Sequence, residues 1–163
     1  APGVRWKSRL QSTYPIMNSL NDHCISICNS LLRGELSAVE TYGQALETHS
    51  DTPAADELRR IRAEHAKSAA RLSANVRQMG GTPGKDSGAW GIFAVAVQGA
   101  ADLFGATSAL VTLQQGEEMG RNDYKDALLD ELVMPDCKQL ISEELLPPVL
   151  NHIVRLENLK QAV

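Results

Sequence analysis

Gly34-Glu35-Leu36-Ser37-Ala38-Val39-Glu40-Thr41-Tyr42-Gly43-Gln44-Ala45-Leu46 and Gly116-Glu117-Glu118-Met119-Gly120-Arg121-Asn122-Asp123-Tyr124-Lys125-Asp126-Ala127-Leu128 are two versions of one phrase. Counted from the Glu of each, a small residue stands three on, Tyr seven on, and Ala-Leu ten and eleven on. Each phrase is followed at a distance by a His with a Leu seven later: His65 with Leu72, and His152 with Leu159. Recurrence of this kind implies that the chain is built from two related helical hairpins.

The composition fits helices. Apolar residues make up 43% of the 163, yet aromatics only 4%, so the core must come from Leu, Ala, Val and Ile. The fold class expected is all-α, and no stretch alternates well enough for a strand. Punctuation sets the helices. The first is expected over Ile16–His49, after Pro15 and before Ser50-Asp51-Thr52-Pro53. Thr52 is expected to cap the second, with Pro53 at its first position and Asp56 and Glu57 at its positive end; it runs to Met79 and stops at Gly80-Gly81. A long third stretch covers Ala89–Leu132 with a kink at Gly105. The last covers Asp136–Lys160, bent or interrupted by Pro147-Pro148. Residues 1–15 read as an N-terminal arm and residues 16–163 as the helical domain.

Helical period decides which polar groups face inward, because residues three, four and seven apart share a face. Glu35 falls in the row Cys24, Ile27, Leu31, Ala38, Tyr42, Ala45, whereas Glu40 and Glu47 fall off it. Arg62 and His65 lie among Leu58, Ile61, Leu72 and Val76; Glu117 lies among Leu110, Leu113, Gly120 and Tyr124; His152 lies among Leu145, Val149 and Leu156. Two carboxylates and two imidazoles thus converge on one interior, where unpaired charge is costly. A metal ion, a proton-sharing network with Tyr42 and Tyr124, or an ion pair with Arg62 would each compensate them. Glu35, His65, Glu117 and His152 are the candidate metal ligands; Arg62, Tyr42 and Tyr124 are the candidate polar-core partners. The acids and bases of Asp56–Arg71 read as a solvated face.

Glu-x-x-Ala-x-x-x-Tyr resembles a phrase in the first and third helices of rubrerythrin and other ferritin-like di-iron carboxylate proteins. Gly-Glu-Glu, Asp-Tyr-Lys-Asp-Ala-Leu and Glu-Leu-Leu-Pro before an inward His resemble more closely an uncharacterised bacterial family of ferritin-like four-helix-bundle proteins. The resemblance spans nearly the whole chain and implies a ferritin-like four-helix bundle, with iron or manganese as the metal if one binds. Di-iron members carry bridging carboxylates three residues before each His. Here those positions are Arg62 and Val149, and the nearby acids Glu64 and Glu144 lie off the face or out of register.

The function expected is therefore a structural or stress-linked bundle with a degenerate metal site, without demonstrable catalysis. The alternatives are a mono- or di-metal carboxylate–histidine protein with oxidoreductase or storage activity, and a helical protein-interaction module. A net charge of −4 with interspersed signs leaves no basic stripe for nucleic acid, and no small-molecule substrate is identifiable. Three cysteines in no framework spacing suit a reducing cytoplasm, with Cys24 and Cys28 expected as buried small residues although they lie four apart near His23. Ala89–Leu113 is nearly all apolar, but Gln98 and Asp102 interrupt it and flanking anchors are missing, so a subunit contact, with a homodimer, is expected rather than membrane insertion. Trp90, Phe93 and Phe104 are expected as core.

Overall fold

The computed structural model describes residues 7–88 and 106–163, without the side chains of residues 7–14 and 106. Trp90, Phe93, Phe104, the Gly105 kink and most of the apolar Ala89–Leu113 segment lie outside the described residues. Among those described, the structure is all helical. Helix α1 is Lys7–His49, α2 Ala55–Gln78, α3 Ala106–Leu129 and α4 Pro135–Leu140; a π-helical turn, Ile141–Leu145, leads into α5, Leu146–Ala162. No helix of the described residues is long and apolar enough to cross a membrane.

Two helix starts differ from expectation. Helix α1 begins at Lys7 rather than Ile16 and carries Pro15 inside it, since a proline removes one ladder bond without forbidding helix on both sides. Thr52 does not cap α2: its hydroxyl donates to the His49 carbonyl at 2.9 Å, closing the end of α1, and Ala54 precedes α2 with no side-chain cap. The last helix is interrupted, as expected, next to Pro147-Pro148. These prolines occupy the first turn of α5, where no N–H is required, and the Leu146 N–H reaches five residues back to the Ile141 carbonyl. The π turn thus absorbs the register change that the prolines force.

Gly80 ends α2 at φ +82°, a left-handed position suited to glycine. At Gly81 a Cβ would stand 2.7 Å from Ile25 Cγ2, so only glycine lets the chain leave this close to α1.

Apolar packing falls into two clusters. One gathers Cys24, Cys28, Leu32, Leu72, Val76, Ile141 and Leu145. The other gathers Tyr42, Ala45, Leu58, Ile61, Leu113 and Leu156. Chain order through the clusters gives helix direction: α1 and α5 run from the first to the second, α2 and α3 from the second to the first. Successive helices α2 and α3 are therefore parallel, so the chain has to return from the first cluster to the second between them. The start of that return is visible where Asn29 bonds Thr82 and Gly84 and, further along α1, the Ser87 hydroxyl donates to Glu40 at 2.9 Å. On each of the four long helices one buried acid or imidazole lies between the two clusters: Glu35, His65, Glu117 or His152.

Candidate acid–imidazole centre

All four of these residues are buried, none more than 4% exposed. His65 stands between the carboxylates. Its Nδ1 is 2.6 Å from Glu35 Oε2 and its Nε2 2.7 Å from Glu117 Oε1. A carboxylate facing each nitrogen is an acceptor on both sides, which the ring satisfies fully only as the doubly protonated imidazolium. Burial alone would push the His65 pKa down; the charges of Glu117 and Glu35 and their hydrogen bonds overcome it and raise it to about 10. Burial likewise opposes ionisation of Glu117, but His65 and His152 hold its pKa down at about 2.

The tyrosines cross between the repeats. Tyr42, seven after Glu35, donates its hydroxyl to Glu117 Oε1 at 2.5 Å, and Tyr124, seven after Glu117, donates to Glu35 Oε1. Burial first, and the adjacent carboxylate second, push both phenols above their ordinary range, so they stay protonated donors. Tyr42 belongs to one apolar cluster and Tyr124 to the other, so the acid pair is gripped from both ends.

His152 is placed differently. Its Nδ1 lies 3.3 Å from Glu117 Oε2 and its Nε2 2.7 Å from Glu64 Oε2. Glu64 is 41% exposed and takes two hydrogen bonds, at 2.9 and 3.1 Å, from Arg155 Nη1, while Arg155 Nε bonds Glu57. Burial opposes the Glu64 charge, but its bonds to His152 and Arg155 leave the pKa lowered.

The structure brings together Glu35, His65, Glu117, His152, Tyr42 and Tyr124, and leaves Arg62 outside. Arg62 is exposed and donates its Nε to the Val39 carbonyl at 3.0 Å; its guanidinium lies over Gly43, where a Cβ would stand 3.1 Å from Nη2. Position alone put it near the apolar row, but a long side chain carries its charge out to water. Glu64, set aside for lying off the face, is reached because His152 extends toward it from α5. Arg155 was missed: the pairing of Glu57 and Glu64 with it crosses two helices and leaves no period in either. The Asp56–Arg59 and Glu57–Arg60 pairs do make part of that stretch a solvated face.

His65, Glu117 and His152 could hold a metal ion, since one ligand atom from each lies within 4.8 Å of the others. A di-iron arrangement does not fit. The two positions that would supply bridging carboxylates are Arg62, which points outward, and Val149, which is buried in apolar packing.

A sequence-family model described as a domain of unknown function (DUF2383) matches residues 23–130. No curated protein and no solved structure matches the chain.

Proposed function

Since the chain belongs to the DUF2383 family of unknown function, its own geometry has to carry the reading, and we propose a ferritin-like four-helix bundle of structural role whose metal site has become a proton-bonded network. The parallel α2 and α3, between which the chain has to return, support the ferritin-like arrangement, which uses a single long crossover. The observation that carries the loss of the metal is at His65. Both of its nitrogens are bonded to carboxylates, and a metal takes only a neutral imidazole with a lone pair free. Protons occupy the positions that an ion would need.

Two measurements test this. Protein purified without chelator should carry no stoichiometric iron, manganese or zinc, and nitrogen NMR should show both His65 nitrogens protonated at pH 8. Stoichiometric metal that disappears in Glu117→Gln would overturn the reading.

The proximity of ligand atoms in His65, Glu117 and His152 favours a second reading, a single iron or manganese ion. Bound there, it would supply Lewis-acid or redox chemistry. The chain's own part would be to release the His65 proton, with Tyr42 and Tyr124 fixing the two carboxylates. Metal uptake by the apo protein, abolished in both His65→Leu and His152→Leu, would establish it.

A further inference from the structure

Toward one end of the bundle from the acid–imidazole centre, in the apolar cluster that also holds Tyr124, three helices bring sulfur together. Cys24 and Cys28 come from α1, Met79 from the end of α2 and Cys137 from α4. The three cysteines are 0%, 1% and 3% exposed, and none is in a disulfide. The Cys137 thiol donates a hydrogen bond to Met79 Sδ at 3.7 Å. The Asn75 amide points at two of the sulfurs, 3.5 Å from Cys28 Sγ and 3.8 Å from Cys137 Sγ. Among the described residues the hydrogen-bond partners of these thiols are sulfur, amide and backbone groups, with no carboxylate or imidazole.

A cleft of about 390 Å³ leads to this cluster from the surface. Met79, Asn75 and Cys137 line it together with Asp136, Glu143 and Glu144. Arg71 is bonded to Glu144, so the lining keeps an excess of negative charge, which draws cations. The donor set then selects among them. Thiolate and thioether are soft ligands that suit copper(I), whereas magnesium, calcium and manganese take oxygen. Two sulfurs sharing a tetrahedral ion at about 2.3 Å would stand about 3.8 Å apart, close to the separation of Cys137 and Met79.

We propose that Cys28, Cys137 and Met79 form a binding site for a soft monovalent cation, copper(I), which enters through the acidic cleft. Each thiol that binds gives up its proton to solvent, and no electron is transferred. Cys24 is a flanking thiol, held by the Met134 N–H at 3.2 Å. This site shares no residue with the acid–imidazole centre, and its test is independent of the reading there.

The experiment is anaerobic titration of the reduced full chain with copper(I) against a chromogenic copper(I) chelator. Wild type should withdraw one copper per chain. Cys137→Ser and Met79→Leu should each weaken binding by at least about tenfold, or about 1.4 kcal/mol, while Met119→Leu, which removes an exposed thioether on α3, leaves it unchanged. Met79→Leu keeps shape and hydrophobicity, so its result stands even if Cys137→Ser folds poorly. Wild-type protein that surrenders all its copper to the chelator, or a Met79→Leu variant that binds as wild type does, would overturn the proposal.

Discussion

In the first hairpin, His65 stands between Glu35 and Glu117, and every partner it has is buried. In the second, His152 occupies the corresponding place in the repeat but turns one nitrogen to Glu64, which is 41% exposed and backed by Arg155. The acids and tyrosines keep the symmetry of the repeat, each Tyr bonding the Glu of the other half. The imidazoles break it. A duplicated sequence can therefore preserve a carboxylate pair while assigning its two imidazoles unlike tasks, one to neutralise the interior and one to connect it to the surface.

Removing the imidazoles should expose this difference. His65→Ala leaves two buried carboxylates without their shared cation, and loss of one partner from a buried ionic group costs about 3–5 kcal/mol. His152→Ala should cost less, about 1–3 kcal/mol, because water can take over the exposed side of Glu64. Urea unfolding of the two variants measures the gap; equal losses would mean that the halves are energetically equivalent.

Protonation sharpens the same contrast. Glu117 falls to about 2 in the folded chain from an ordinary 4.5, so its stabilisation is complete above about 4.5 and is lost as pH falls toward 2. His65 rises to about 10 from 6.5, so its stabilisation is complete below 6.5 and is lost as pH rises through 10. The centre should contribute most between about pH 4.5 and 6.5. Melting temperature followed against pH should decline from 6.5 to 10 in wild type, and this alkaline decline should shrink in His65→Ala.

The crossed tyrosines come next. Each hydroxyl donates to a charged acceptor, a bond worth about 1.5–3 kcal/mol when buried. Tyr42→Phe and Tyr124→Phe should each lose about that much, and by similar amounts if the repeat symmetry extends to energetics. A loss confined to Tyr42→Phe would tie the interaction to Glu117, the acid that also meets both imidazoles.

The residues legible in the sequence are those whose role follows from one helix alone. Glu35, Glu117, His65 and His152 lie in rows set by the 3.6-residue period, so their burial could be read before any tertiary structure. Glu40 and Glu47 fell off the row and are exposed. What could not be read is pairing across helices. Arg155 meets Glu57 and Glu64 only once α5 lies against α2, and Cys137 joins Cys28 only after the chain has passed through three helices. The proline pair announced an interruption in the last helix, but a π turn as its remedy depends on which carbonyls the packed backbone leaves available.

Arg62 makes the smallest and most pointed test, because charge balance alone would place it beside Glu35 and Glu117, where its removal would be as damaging as that of His65. Its Nε instead bonds the Val39 carbonyl, and its guanidinium covers Gly43 in contact with solvent. Water can replace that bond when the side chain is cut back, and the stem shields only a little backbone. Arg62→Ala should therefore cost less than about 1 kcal/mol and leave the alkaline loss of stability unchanged, since that loss belongs to His65. A penalty comparable to His65→Ala in the same unfolding series would put a second cation in the interior and remove the reason for assigning the neutralisation of both acids to the imidazoles.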